Sequence, residues 1–207
     1  LSLHPDPLQN IFSRFLKRVF DLLITTIVLA CSTIMLTTIA IGVKLSSPGP
    51  VFFKQKRTGF KGKEFNCYKF RTMKVNANSD QLQASRHDPR KTRVGEFLRK
   101  TSLDELPQFI NVFVGDMSVV GPRPHMVKHT HDYSKILDKD MLRHIIKPGI
   151  TGWAQVNGYR GETRELWQME RRVEYDVWYI EHWNFWLDIK IIFLTVVNAF
   201  RGEKNAF

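Results

Sequence analysis

Cysteine is scarce in this sequence of 207 residues, and acidic residues are scarce in its first third. The two cysteines, Cys31 and Cys67, have neither the spacing of metal ligands nor that of a disulfide framework, so we expect two plain, buried thiols. Residues 1–75 hold 12 Lys and Arg against 3 Asp and Glu, whereas residues 76–207 hold 19 against 17. No helix-turn-helix, zinc-finger or RNA-binding signature accompanies this basic excess, which argues against nucleic acid as the partner.

Charge is absent altogether from residues 22–43. As a helix rising about 1.5 Å per residue, this run is long enough to cross a bilayer, and a buried helix of a soluble protein is the alternative. Basic residues flank the run at positions 14–18 and 44–57, and the positive-inside rule places both flanks in the cytoplasm. We therefore predict a re-entrant helix that enters one leaflet and returns, with anionic membrane lipid as the partner of the basic residues.

The predicted organisation has three segments. They are a polar linker at residues 1–13, the re-entrant membrane helix with its Ser-Pro-Gly-Pro exit at 14–50, and a cytoplasmic domain at 51–207. Within the domain, the Trp-led apolar stripe at 178–200 is interrupted by Asp188 and Lys190, so we expect it to lie on the bilayer surface rather than to cross. The predicted fold class is α+β, mainly helical, with a small β-hairpin and amphipathic helices on the membrane.

The most informative stretch sets Asp104 and Glu105 side by side ahead of an apolar helical pattern. Two interpretations are open. In the first, Ser102 and Glu105 form a capping box, and the pair is exposed in the first turn of a helix. In the second, the two carboxylates hold Mg²⁺ while Arg99 and Arg123, close in sequence, bind phosphate oxygens. The basic surroundings of the pair favour the second.

Two further places fit phosphate binding. Residues 51–55 and 65–73 predict the strands of a hairpin that projects basic side chains, Lys69 and Arg71 among them. Residues 147–152 predict a loop in which glycines expose backbone N–H groups beside a lysine.

Other metal-binding patterns are weaker. Asp138 and Asp140 form the Asp-x-Asp pair that a large class of nucleotide-sugar glycosyltransferases uses for a metal, but their helical context favours plain surface charge. His125, His129 and His131 lack a supporting Cys or carboxylate spacing, so we interpret them as surface or core histidines.

Seven motifs between Arg14 and Phe200 are more specific as a set than any one of them alone. They are Lys17-Arg-Val-Phe-Asp21, Ser47-Pro-Gly-Pro-Val-Phe-Phe-Lys-Gln55, Tyr68-Lys-Phe-Arg-Thr-Met73, Thr101-Ser-Leu-Asp-Glu-Leu-Pro-Gln108, Gly115-Asp-Met-Ser118, Val120-Gly-Pro-Arg-Pro124 and Lys147-Pro-Gly-Ile-Thr-Gly-Trp-Ala-Gln155. Together they resemble the bacterial sugar transferases, which are monotopic polyprenyl-phosphate sugar-1-phosphate transferases. Within that family the chain is most similar to the undecaprenyl-phosphate glucose phosphotransferases.

The resemblance implies a catalytic domain anchored by a re-entrant helix, with its active site on the cytoplasmic face of the bacterial inner membrane. Longer members of the family carry an N-terminal membrane bundle. Because this sequence starts at Leu1, we do not expect such a bundle here. Thr33-Ile34 stands where the family usually has Ser-Pro at the bend of the helix. The stretch Gly158-Tyr-Arg-Gly-Glu-Thr163 is similar to that of members transferring glucose-1-phosphate.

The resemblance implies a reaction that moves a hexose-1-phosphate from a UDP-sugar to undecaprenyl phosphate and releases UMP. The stretch at 158–163 favours UDP-glucose as the donor, and the product would begin a surface polysaccharide. Asp104 is the expected nucleophile of a covalent phosphosugar-aspartyl intermediate, and Glu105 the expected Mg²⁺ ligand. The other residues expected to bind substrate are Lys69, Arg99, Arg123, Lys147, Gly149, Thr151 and Gln155. A homodimer is left open.

Two rival functions stay open at this point. A direct, single-displacement glycosyltransferase using Asp138 and Asp140 would release UDP instead of UMP. A membrane-surface scaffold, in which Asp104 and Glu105 only cap a helix, would release no nucleotide.

Overall fold

The computed structural model describes residues 7–75, 88–126, 140–161 and 165–201. Helices dominate this part of the chain, accompanied by one antiparallel hairpin and one short parallel strand pair. The predicted α+β, mainly helical class is therefore confirmed.

The first helix, α1, spans Ile11–Ser46 and contains the whole charge-free run. Its first turn is capped by Asn10, whose side-chain oxygen accepts a hydrogen bond from the Phe12 N–H at 2.8 Å. Among the described residues it is the one helix long and apolar enough to cross a membrane. The helix begins inside the segment predicted as a linker, and Leu8 just before it is buried in the core.

The predicted hairpin is confirmed, with shifted ends. Strand β1 (Phe52–Thr58) is antiparallel to β2 (Glu64–Phe70), with Phe52 opposite Phe70. Strand β2 stops three residues before the predicted end, because the chain turns at Arg71 towards the end of α1.

Arg71 holds that end of α1. Its guanidinium donates hydrogen bonds to the carbonyls of Ser47 at 2.6 Å and Pro48 at 2.7 Å. Gly49 follows with a φ of 124°, and a Cβ there would collide with Arg71 Nη1, so the turn requires glycine. The prediction that Arg71 projects from the hairpin as a phosphate-binding group is wrong: its side chain is buried and ties the hairpin to α1.

The remaining elements are short up to residue 160 and long after it. They are helices α2 (Arg93–Lys100) and α3 (Gln108–Val114), strand β3 (Ser118–Val120), strand β4 (Gly149–Thr151), which pairs with β3 in parallel, and helices α4 (Trp153–Val156), α5 (Leu166–Glu181) and α6 (Phe185–Arg201). The apolar stripe at 178–200 is thus divided between α5 and α6.

Two of the apolar clusters in the described part of the chain each join several of these elements. The larger joins α3, β3, α5 and α6 through residues such as Val112, Val120 and Ile191. The smaller joins Val43 of α1 to β2 and α2. Cys67 is buried as predicted, but Cys31 is exposed on α1, so the expectation of a buried thiol is wrong there.

A buried polar network fastens the N-terminal half of α1 to α5 and α6. Asp188 of α6 accepts hydrogen bonds from Lys17 Nζ at 2.7 Å, the Tyr179 hydroxyl at 2.6 Å and Trp183 Nε1 at 3.2 Å. Since a buried carboxylate needs such partners, Asp188 is a structural residue of the interior. The interpretation of Asp188 as a polar break on a membrane-facing stripe is wrong.

Close packing of α2 on the segment after β2 generates a stability prediction. A Cβ on Gly95 would collide with the Thr72 carbonyl oxygen, whereas a Cβ on Gly42 of α1 would meet Val94 Cγ1 at an ordinary 3.8 Å. We expect Gly95→Ala to destabilise the protein by about 1–3 kcal/mol through overpacking. The matched control, Gly42→Ala, should be neutral or slightly stabilising. Thermal unfolding of the detergent-solubilised variants measures both, and equal midpoints would contradict the prediction.

Candidate functional site

Asp104 and Glu105 lie on a single 3-10 turn, Leu103–Glu105, between α2 and α3. Ser102 before the turn is left-handed, with a φ of 57°, and its side chain caps no helix. Its hydroxyl instead accepts a hydrogen bond from Arg160 Nη2 at 2.9 Å. The capping-box interpretation is therefore wrong, and so is the exposed first turn, because both carboxylates are only 8% exposed.

Glu105 is surrounded by cations from three parts of the chain. Its carboxylate lies 2.7 Å from Lys69 Nζ, 2.6 Å from Arg123 Nη2 and 3.6 Å from Arg160 Nη2. Burial alone would raise the pKa of Glu105, but Arg123 and Lys69 outweigh it and hold the pKa well below its ordinary value. Glu105 is therefore ionised at neutral pH, and its carboxylate forms ion pairs with the surrounding cations.

Asp104, its neighbour, has the opposite environment. Within the described ranges its side chain forms no hydrogen bond and no ion pair. Burial raises the pKa of Asp104, Lys69 opposes that rise, and the charge of Glu105 adds to it. The result is a carboxylate whose oxygens are uncommitted and more basic than usual, at the edge of a strongly positive site.

Arg99, in the last turn of α2, completes the positive surroundings. Its Nε donates a hydrogen bond to Thr72 Oγ1 at 2.9 Å, and burial is the main reason that its pKa is lowered. The charge of Asp104 partly offsets that lowering. The structure therefore brings together five predicted site residues: Asp104, Glu105, Lys69, Arg99 and Arg123.

The donor chemistry of the pair fits Mg²⁺. This ion commonly takes one or two carboxylates together with substrate phosphates, and Asp104 and Glu105 are two adjacent carboxylates beside phosphate-binding cations. The described residues contain no cluster of three or more His, Cys, Asp and Glu, so a site here needs oxygens from a substrate. Magnesium on Glu105 stays a prediction.

The loop predicted as a phosphate cradle lies elsewhere. Lys147 sits beside Arg18 at the far end of α3, where both side chains come within 3.5 Å of the Cβ position of Gly115. The Gly149 N–H donates to the Pro122 carbonyl at 2.8 Å, and the Thr151 hydroxyl bonds to that of Thr195. Gly149 and Thr151 thus belong to the paired strand β4, and the Thr151 hydroxyl joins that strand to α6. The role of Lys147, Gly149 and Thr151 in substrate binding stays a prediction.

Within that motif, Gln155 is the one described residue with a buried side-chain polar atom that has no partner. Its side chain is buried, Nε2 donates to the Ile150 carbonyl at 3.1 Å, and Oε1 has no partner in the described part of the chain. A buried, unpaired amide oxygen is costly, and the binding of a ligand donor by this atom stays a prediction.

Sequence reasoning missed Arg160 as a member of the site. The stretch Gly158-Tyr-Arg-Gly161 predicts a turn around Arg160, but it does not predict that Arg160 contacts Glu105. His125 is a core histidine: its ring meets Arg143 Nη1, with Nδ1 at 2.8 Å, and burial together with Arg143 keeps its pKa well below the ordinary value. His129, His131 and Asp138 lie outside the described residues, as does the side chain of Asp140.

Comparison with known proteins agrees with this geometry. Residues 12–202 match the family model described as bacterial sugar transferase. A UDP-glucose:undecaprenyl-phosphate glucose-1-phosphate transferase of Escherichia coli (strain K12) is 55% identical over 97% of this chain and 43% of its own length.

Relatives of the same name occur in other bacteria. That of Klebsiella pneumoniae is 52% identical over 99% of this chain and 44% of its own length, and that of Xanthomonas campestris pv. campestris is 51% identical over 92% and 40%. The chain therefore spans less than half the length of these three relatives.

The unequal carboxylates predict opposite effects on stability. The folded protein favours the protonated form of Asp104, because its pKa there is raised. The stability gained from this form is fully present below the ordinary pKa of 3.8 and is lost as pH rises through the pKa of the folded state. We expect Asp104→Asn to raise the thermal unfolding midpoint at neutral pH, and the gain to shrink as pH falls towards 3.8.

Glu105→Gln is the matched variant of opposite sign. The folded pKa of Glu105 is depressed, so its stabilisation is present above the ordinary value of 4.5 and is lost as pH falls through the folded value. We expect a lower midpoint at neutral pH. Scanning calorimetry of both variants against pH measures these shifts, and a midpoint of Asp104→Asn at or below that of wild type would contradict the assignment.

Proposed function

Since this chain belongs to the bacterial sugar transferase family, we propose that it transfers glucose-1-phosphate from UDP-glucose to undecaprenyl phosphate and releases UMP. The observation that carries the proposal is an uncommitted Asp104 carboxylate beside a Glu105 that is held by three cations. The relatives' names supply the donor and the acceptor. The product would begin a surface polysaccharide.

The reaction proceeds in two displacements at one phosphorus. In the first, an Asp104 oxygen attacks the sugar-bearing phosphorus of UDP-glucose, the bond from that phosphorus to the bridging oxygen breaks, and UMP leaves. In the second, a phosphate oxygen of undecaprenyl phosphate attacks the same phosphorus. The bond to Asp104 then breaks, which restores the carboxylate and leaves undecaprenyl-diphospho-glucose.

The surrounding charges suit this chemistry. Lys69, Arg123 and Arg160 converge on Glu105, and they are placed to bind the diphosphate oxygens whose charge grows as UMP departs. Glu105 would hold Mg²⁺, which, when bound, neutralises part of the charge on the diphosphate. Burial supports Asp104 as nucleophile, because a desolvated carboxylate is more basic and more reactive than a hydrated one.

The membrane arrangement is also part of the proposal. Near the start of α1, Arg18 donates to the carbonyls of Val112 and Phe113 at the end of α3; near its end, Val43 packs against Phe70 and Leu98. Both ends of α1 thus contact one polar domain, which supports a re-entrant helix with both ends on the cytoplasmic face.

The middle of α1 contains groups that compensate a bend. The hydroxyls of Ser32 and Thr33 donate to the carbonyls of Val28 at 2.6 Å and Leu29 at 2.8 Å, so backbone oxygens freed by bending keep a partner. The bend itself, at the place where the family usually has Ser-Pro, stays a prediction, since α1 runs as one helix over Ile11–Ser46. The lipid-facing helices and a homodimer stay predictions.

The nucleotide released tests the function. We expect purified protein with UDP-glucose, undecaprenyl phosphate and Mg²⁺ to release UMP, and UDP-galactose or an N-acetylated donor to react more slowly. Asp104→Asn should lower the rate on the order of a thousandfold or more, because no covalent step can form. Glu174→Gln, an exposed carboxylate on α5, is the matched control and should keep wild-type activity.

Two results would contradict this scheme. Release of UDP would favour a single displacement that uses Asp138 and Asp140, and substantial activity in Asp104→Asn would rule out Asp104 as the nucleophile.

The covalent intermediate is tested without undecaprenyl phosphate. We expect at most one UMP per protein molecule, with labelled sugar phosphate retained on wild type and absent from Asp104→Asn.

Topology is tested by cysteine labelling in intact cells. Ile11 and Leu45, at the two ends of α1, are 81% and 82% exposed and make a matched pair of sites for single cysteines in a variant without Cys31 and Cys67. We expect both to react with a membrane-impermeant reagent only after the cells are opened. Labelling of Ile11→Cys alone in intact cells would mean that α1 crosses the membrane.

A further inference from the structure

The two arginines on Glu105 come from separate loops. Arg123 lies in the loop after β3, and Arg160 lies in the loop after α4. A loop arginine has many rotamers and a mobile backbone, so meeting at one carboxylate requires that both loops be held. Both loops are attached to helix α5.

The Arg123 loop is held through Arg143. Arg143 Nη2 donates to the Arg123 carbonyl at 3.0 Å and to Asp176 Oδ2 of α5 at 2.6 Å. Arg143 and Asp176 are each only 2% exposed, so solvent does not compete with either bond. The carbonyls of the next two residues accept bonds as well, Pro124 from Arg57 Nη1 and His125 from the Thr58 N–H.

The Arg160 loop is held directly by α5, on both sides of the arginine. Arg172 Nη2 donates to the Gly161 carbonyl at 2.6 Å. The Tyr175 ring packs against the Tyr159 ring with 5.1 Å between centroids. The residues before and after Arg160 are therefore both attached to the same helix.

The three attachment points lie on one face of α5. Arg172, Tyr175 and Asp176 are spaced i, i+3 and i+4, which places them side by side on a helix surface. Met169, Val173 and Val177, on other positions of α5, are buried and pack against Leu142. A buried ion pair adds little stability over apolar residues of the same volume. The role of Asp176 and Arg143 is therefore to fix the position of the Arg123 carbonyl.

We propose that this face of α5, through Arg172 and through Asp176 with Arg143, sets the positions of Arg160 and Arg123 and thereby the binding of the donor diphosphate. The inference rests on the proposed function for its ligand. Asp176, Arg143 and Arg172 are positioning residues, since each acts through the backbone of a loop and not on the substrate.

Asp176→Asn tests the Arg123 branch. We expect the Kd for UDP in calorimetry, and the KM for UDP-glucose in turnover, to rise on the order of tenfold, because small displacements of a binding group weaken it strongly. Glu174→Gln makes the same carboxylate-to-amide change on the exposed side of α5, where its partner is Arg171, and should leave both constants unchanged.

A double-mutant cycle separates positioning from general damage. If Asp176 acts through Arg123, adding Asp176→Asn to Arg123→Met should weaken UDP binding by less than about twofold further. Arg172→Met should show the same coupling with Arg160→Met. Multiplicative losses in both cycles, or a lowered unfolding midpoint with unchanged UDP affinity, would overturn the inference.

Arg143→Lys keeps the test decisive if Asp176→Asn does not fold. The lysine retains a cation beside Asp176 but lacks the planar fork that reaches Asp176 and the Arg123 carbonyl together, so UDP affinity should fall with the fold intact. Unchanged UDP affinity in a folded Arg143→Lys would overturn the inference. Wild type that binds UDP but releases no UMP would defeat the proposed function alone, and wild type that binds no UDP would defeat both.

Discussion

The buried carboxylate of Glu105 draws cations from three distant parts of the chain to one point. Lys69 comes from the hairpin, and Arg123 and Arg160 come from loops near β3 and α4. Without the acid these cations would repel one another, and without the cations the acid would be an unpaired buried charge, which is strongly destabilising. Each side therefore requires the other, and the site exists only when the hairpin, both loops and the turn of Glu105 are in place.

The same arrangement makes two neighbouring carboxylates chemically different. Glu105 takes the ion pairs and has a depressed pKa, while Asp104, one residue earlier, keeps its oxygens free of described partners and has a raised pKa. Pairs of acids whose environments push their pKa values apart are a recurring way to divide one reaction between an anchor and a reactive group. Burial is the largest cause of the raised pKa of Asp104, whereas Arg123 and Lys69 together outweigh burial at Glu105.

The motif Lys17-Arg-Val-Phe-Asp21 has more than one physical role. Its basic residues flank an apolar run, which is the pattern of a topology signal. In the folded chain Lys17 pairs with Asp188, Arg18 satisfies carbonyls at the end of α3, and Asp21 accepts hydrogen bonds from Ser118 Oγ and the Val119 N–H. The start of the long apolar helix α1 is thus attached to α3, β3 and α6, so the position of α1 and the packing of these elements depend on the same side chains.

Local patterns were enough to predict the long apolar helix, the hairpin, the helix that follows the acid pair and the importance of Asp104 and Glu105, because periodicity and adjacency are properties of neighbouring residues. Closeness in sequence indicated Arg99 and Arg123, the basic hairpin indicated Lys69, and the family motifs supported all three. The capping box at Ser102 was wrong because capping depends on a backbone conformation that spacing does not fix. Only the tertiary structure decided the membership of Arg160, the burial of Asp188 and the attachment of both loops to α5, since these contacts join residues far apart in the chain and depend on how whole elements pack.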